Sequence, residues 1–182
     1  MDLSTALRLT VTATATKTAD MSGTPTSTSQ FSLSDSLADG TSTDQADIVY
    51  FDANTLVAAA SQSYDLAGSL SDVFGDIIAA VRVKFIGLKN TSSTASVLLL
   101  GGGTGGDGTN AFDSWISSTG GGTDSLAPGC EGVFVRAGGI FALWAPDSTA
   151  YAVAAGTADI LIVSEQSTLA AAYDLMLIMS TA

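Results

Sequence analysis

The side chains able to do chemistry are few, and their spacing supports none of the common reaction types. The chain has no histidine. That removes Ser-His-Asp and Cys-His nucleophile pairs, imidazole-ligated zinc and the commonest general base near neutral pH. The single cysteine, Cys130, lies in the turn sequence PGCEG. A nucleophilic thiol needs a partner that lowers its pKa, and none is evident in the sequence. One cysteine also allows no intramolecular disulfide. The run GGGTGG at Gly101 to Gly106 satisfies the pattern G-x-G-x-x-G. A dinucleotide site requires a helix opening directly after that loop, so that its amides face the pyrophosphate. Here DGTNAFDSW follows, and no phosphate loop ending in Gly-Lys-Ser/Thr is present. A hairpin loop is the expectation.

Asp35, Asp39, Asp44 and Asp47 form the one acidic cluster that suggests a cation site. Calcium takes six to eight oxygen ligands, but the spacing matches no EF-hand loop, and solvated turn acids are the plainer reading. Paired carboxylates for glycoside hydrolysis remain compatible with the composition, yet the two tryptophans, Trp115 and Trp144, lie far from this cluster along the chain. The expectation is a protein that is not an enzyme, with no cofactor and no resident metal.

The elements that position these residues read as strands. Leu7 to Thr16, LRLTVTATAT, alternates with period two, placing Leu7, Leu9 and Val11 on one face and Arg8, Thr10 and Thr12 on the other. Lys17 to Gln30 has little to bury and reads as a loop or extended arm. Further strands are expected over Phe31 to Leu37, Ile48 to Phe51, Asn54 to Ala60, Ser63 to Leu70 and Ile77 to Leu88. Val97 to Leu100, Gly132 to Val135, Gly139 to Trp144, Tyr151 to Ala154, Ile160 to Ser164 and Tyr173 to Met179 complete the set. In the strand around residue 83, Val81, Val83 and Phe85 alternate with Arg82 and Lys84, and the basic pair marks the expected outward face. Roughly eight to ten short strands with turn chemistry every 8–12 residues predict an all-β, antiparallel β-sandwich, jelly-roll-like, with an N-terminal extended strand. Residues 1–30 would be the arm and 31–182 the sandwich domain.

Charged residues are 13% of the chain, against about 25% in an ordinary domain. Such a weakly hydrated surface suits packing against neighbours. The net charge is −12, with only six basic residues, so no phosphate-tracking stripe and no nucleic-acid partner are expected. No apolar run approaches the ~20 residues of a membrane helix, no signal-peptide pattern opens the chain, and synthesis in a cytoplasm is expected.

Several strands are apolar on both faces. Ile140 and Trp144 oppose Phe141 and Leu143, and Leu175 and Leu177 oppose Met176 and Ile178. A two-layer sandwich needs one buried face per strand, so the second face predicts a subunit interface and a homo-oligomer, with cover by an arm or loop of the same chain as the alternative. Leu7, Leu9 and Val11, with the aromatic pair Phe112 and Trp115, are the candidate assembly contacts; the alternative for Phe112 and Trp115 is that both fold back over an open end of the sandwich. The N-terminal strand is expected to reach a shell or an adjacent copy by strand addition.

Three stretches resemble a family of small tailed-bacteriophage virion structural proteins: ADGTSTDQAD (38–47), DLAGSLSDVFG (65–75) and above all RAGGIFALWAPDSTAYAVAAGTADIL (136–161). VRVKFIGLKN, the glycine-rich loop after VLLL and the ending YDLMLIM match its layout. The resemblance covers residues 31–182 and is most specific around Gly138, Gly139, Pro146, Asp147, Tyr151, Gly156 and Asp159. It implies a virion component without catalytic residues. A capsid decoration or cement protein suits best, a trimer docked on the major capsid protein at the virion surface. The segment Gly101 to Glu131 is longer than in the family's usual pattern. The rival expectations are a tail, collar or fibre-associated module, and a carbohydrate-binding module stacking sugars on Trp115, Phe112 or Tyr151.

Overall fold

The computed structural model describes residues 3–17, 24, 26–93, 95–101, 110–116 and 132–182. Its strands are β1 (Thr5–Thr16), β2 (Thr26–Asp39), β3 (Gln45–Ala46), β4 (Ile48–Leu56), β5 (Ser61–Asp65) and β6 (Arg82–Asn90). There follow β7 (Val97–Gly101), β8 (Gly132–Arg136), β9 (Ile140–Trp144), β10 (Tyr151–Ala152), β11 (Ile160–Glu165) and β12 (Ala171–Ser180). Among the described residues there is no helix.

Two sheets make the body. One runs β10-β6-β12-β4, with β9 also paired to β6; the other runs β5-β11-β7-β8. Their inner faces supply one core, with Ile86, Leu88, Leu175 and Leu177 from the first meeting Tyr64, Leu98, Leu100, Leu161 and Val163 from the second. This is the expected antiparallel β-sandwich, closed because each sheet has an apolar face to hide. A polar tie crosses the interior between the sheets. The Tyr64 hydroxyl donates to Asp52 Oδ2 at 2.6 Å and lies 2.7 Å from the Tyr173 hydroxyl. Since Tyr64 spends its proton on Asp52, Tyr173 donates to Tyr64. Burial first, then the hydrogen bond to Asp52, raises the Tyr64 pKa, and burial pushes Tyr173 up to about 12.

The third sheet is β1-β2-β3. β1 and β2 pair antiparallel along their whole length, from Thr5↔Leu37 to Thr16↔Thr26, and β3 adds a two-residue parallel step. The strand expected to begin at Phe31 therefore begins at Thr26, and the division expected at residue 30 falls inside β2. The two strands expected over 48–60 are one, β4, ended by a turn in which Ala59 takes a φ of 58°.

The outward basic face of β6 needs correction. Lys84 is fully buried, although Val83 beside it is buried too. The cause is a bulge: Ile178 faces Phe85 while Met179 faces Val83, so Lys84 is an extra residue in the ladder. Alternation breaks there. Val83 enters the core, Phe85 turns to the outer face, and the Lys84 amine donates to the carbonyls of Ser42 and Asp147. Desolvation lowers its pKa, opposed by the neighbouring charge of Asp147.

Candidate assembly surface

From Arg8 to Thr16 and from Thr26 to Ser34, every residue of the β1–β2 ribbon is exposed. The register sorts its side chains. Leu9 faces Leu33 and Val11 faces Phe31 on one side, while Thr10, Thr12 and Thr14 face Ser32, Gln30 and Thr28 on the other. The ribbon thus has an apolar face and a hydroxyl face. On the apolar face Val11 is 53% and Phe31 59% exposed. A two-stranded hairpin alone is marginally stable in water and gains stability when an apolar face packs on something.

The base of the ribbon shows what that face packs on. Leu37 is buried with Ile178 and Ala46, and Leu3, Phe85 and Trp144 pack around them. Trp144 Nε1 donates to Asp35 Oδ2 at 2.7 Å, the Leu3 amide donates to Asp39 Oδ1 at 3.1 Å, and Phe85 meets Trp144 edge-on at 6.0 Å. So the ribbon's first residues lie on the outer face of the five-stranded sheet. Between them is a cleft of about 460 Å³, lined by Leu3, Leu7, Phe85, Met176 and Ile178 among others. Beyond it, on the same sheet face, a shallower depression of about 200 Å³ is floored by Phe85 and Gly87 and rimmed by Phe51, Ile140 and Met176. Ile140 is 72% and Phe51 55% exposed there. The apolar second face expected for β9 and β12 is therefore covered at one end by the ribbon base and bare at the other.

A second apolar projection is the turn before β6. Asp72 Oδ1 accepts the amides of Phe74 and Asp76 at 2.8 and 2.9 Å. This holds Val73, Phe74 and Ile77 in the open.

The expected contact residues separate. Leu7 is half-buried at the ribbon base, and Leu9 and Val11 stand exposed beyond it. Phe112 is fully buried in the body core, so no partner can reach it without opening that core. Trp115 is half-buried, tilted against Phe141 at 5.5 Å, and its Nε1 donates to the Phe112 carbonyl at 3.1 Å. It is no free platform for a sugar.

The acidic cluster disperses as well. Asp35 takes Trp144, Asp39 takes the Leu3 amide, and Asp47 takes the Thr181 amide at 3.0 Å and its hydroxyl at 2.5 Å. Asp44 bridges by its backbone, donating to Pro146 O at 2.8 Å. No three acidic or thiol groups converge on a metal-sized space among the described residues. Gly102 to Gly106, Gly120 to Gly122 and Cys130 lie outside the described residues.

Gly138, Asp147, Gly156 and Asp159, singled out in the sequence, build turns, whereas Tyr151 lies in β10. Gly138 and Gly156 adopt φ of 73° and 74°, where a side chain is strained. Asp147 accepts the amides of Thr149 and Ala150 at 2.8 and 2.9 Å, and these bonds with that of the Thr149 hydroxyl hold its carboxyl down to about 2. Asp159 accepts the Gly156 amide at 2.5 Å.

Fold and surface together define a class: an antiparallel β-sandwich bearing a two-stranded ribbon with one bare apolar face. The chain matches no family model, no curated protein and no solved structure.

Proposed function

We propose that this chain is a non-enzymatic structural component of a tailed-phage virion, a capsid decoration protein that self-associates, as a trimer, and docks on the major capsid protein lattice. The observation that carries this reading is the exposed ribbon. Its apolar face stays about half exposed in a lone copy, yet it is a regular structure anchored at its base, which is the form of a contact element for other protein. The scarcity of charge on the surface supports the same reading. So does the resemblance over residues 31–182, whose most specific positions include the turn builders just described.

The test is copy number. Quantitative mass spectrometry of purified virions of the phage encoding the chain is expected to find hundreds of copies per particle. A dozen or fewer would move the protein to a tail or collar, and absence from the particle would end the virion reading.

A further inference from the structure

We propose that the ribbon of one copy seats its apolar face on the bare end of the five-stranded sheet of a second copy, so that each copy gives one arm and receives one. This deepens the assembly reading above and rests on it.

Three observations name a second copy as the occupant. The first is continuity. Within one chain the apolar side of the ribbon base, Leu7 and Leu37, lies on this same sheet face. Leu9, Val11, Phe31 and Leu33 continue that side outward by the period of two, where they stand exposed. The second is the surface itself. The depression bounded by Phe51, Ile140 and Met176 runs on from the cleft at the ribbon base, sharing Phe85 and Met176 with it. The ring of Phe85 lies over Gly87, where an added Cβ would stand 2.7 Å from it. The floor is therefore flat and apolar, as a pleated ribbon face requires.

The third is size. The exposed ribbon is about 30 Å long and 10 Å wide on strand spacings, or about 300 Å² per face. Seating it on an equal patch removes about 600 Å² in total from the two copies, so two copies that exchange arms remove about 1,200 Å² between them, the lower bound for a stable specific interface. Giving and receiving at different sites closes as a ring, and reciprocal exchange closes as a dimer. Both satisfy every arm and every sheet face; the dimer reaches the bound in one contact, whereas each contact of a ring removes about 600 Å². Electrostatics permit the seating: the apolar rows of Leu9, Val11, Phe31 and Leu33 carry no charge, and Lys89 and Asp174 at the edge of the receiving face stand opposite each other in the ladder.

The experiment uses the full chain. A benzoyl-phenylalanine photocrosslinker replaces Phe31, and isotopically light and heavy chains are mixed and irradiated. The expected products join residue 31 of one copy to residues 49–55, 140–142 or 174–176 of another, seen as mixed-isotope peptides. The double variant Phe51→Asp/Ile140→Asp is expected to lose these products and to weaken self-association at least tenfold in sedimentation velocity. Both side chains are exposed, so its thermal melt should match that of the parent chain. Mixed-isotope products mapping elsewhere, crosslinks only within one copy, or self-association untouched by the double variant would overturn the arm exchange. The two readings fail separately. Arm exchange without the chain in virions sinks the virion assignment alone, and hundreds of virion copies without arm exchange sinks only the seating.

Discussion

Removing the ribbon should leave the body folded and abolish its association. In the sharpest form of this change, residues 10–32 are replaced by Asn-Gly between Leu9 and Leu33, which face each other in the register. That dipeptide suits a two-residue hairpin turn. No described residue among those removed is buried. Surface changes of this kind alter stability by about 0.5 kcal/mol or less, so Tm should move by no more than ~2 °C in a chain of this size. The effect on association is larger. Fully burying a side chain such as Val or Phe is worth ~1.5–3 kcal/mol. Val11 and Phe31 are 53% and 59% exposed, so about half of that remains for a partner to supply at each. Together they give roughly 2–3 kcal/mol, a loss of about 30- to 150-fold in affinity per arm. Calorimetry reads the first quantity and sedimentation velocity the second. A fall in Tm beyond about 5 °C would mean that the ribbon belongs to the core. An oligomer that persists unchanged would mean that the ribbon is not the contact.

Glu165, nearly fully buried, accepts the amides of Ser167 at 2.8 Å, Ala59 at 3.3 Å and Val97 at 3.4 Å. Glu165→Ala leaves these donors without their acceptor, at a cost of about 3 kcal/mol, and calorimetry should show Tm lower by ~6–12 °C. The raised pKa values of Tyr64 and Tyr173 mean that the folded chain keeps protons which the unfolded chain releases above about pH 10. Stability from this source is intact below that pH and is lost as pH rises through about 12. Tyr173→Phe should flatten the loss in denaturant titrations at alkaline pH. Gly138→Val forces a branched side chain into a φ of 73°, at about 1–2 kcal/mol. Its Tm should fall by roughly 2–8 °C, whereas Gly138→Asn should recover much of this.

The fold class was legible because eleven of the twelve strands overlap a segment expected as a strand, β3 being the exception, and the longer ones carry period-two alternation or an apolar run. The errors have local physical causes. Lys84 looked outward because alternation carries no sign of a bulge, and one extra residue moves Phe85 to the opposite face. Phe112 left two readings open, a contact point or a cover folded back over the sandwich, because an aromatic next to glycine-rich segments reads as a loop residue; its backbone is tied to Ile160 and its ring lies in the core, as the second reading has it. Residues 26–30 read as part of a loop or extended arm because Thr and Ser bury nothing. Their pairing with β1 depends on register, which no single strand reveals, although matched alternation on both sides of residues 17–25 was an available signal. Glu165 gave none, since a lone acid at a strand end reads as solvated. The four aspartates cluster in sequence but serve four different partners, because a turn and a strand separate them in space.

The balance of charge and apolar surface makes one further prediction. Each copy carries a net charge of −12, so copies repel each other, and the apolar ribbon must act against that repulsion. The two forces respond oppositely to salt. Repulsion between exposed charges is screened as the Debye length falls from about 10 Å at 0.1 M to 3 Å at 1 M, while apolar burial is unaffected or strengthened. Self-association through the ribbon should therefore tighten with added sodium chloride, measured by sedimentation velocity across that range. Association held by charge pairing would weaken instead. A weakening with salt would thus remove the apolar ribbon face from the centre of the explanation and return attention to the acidic surface.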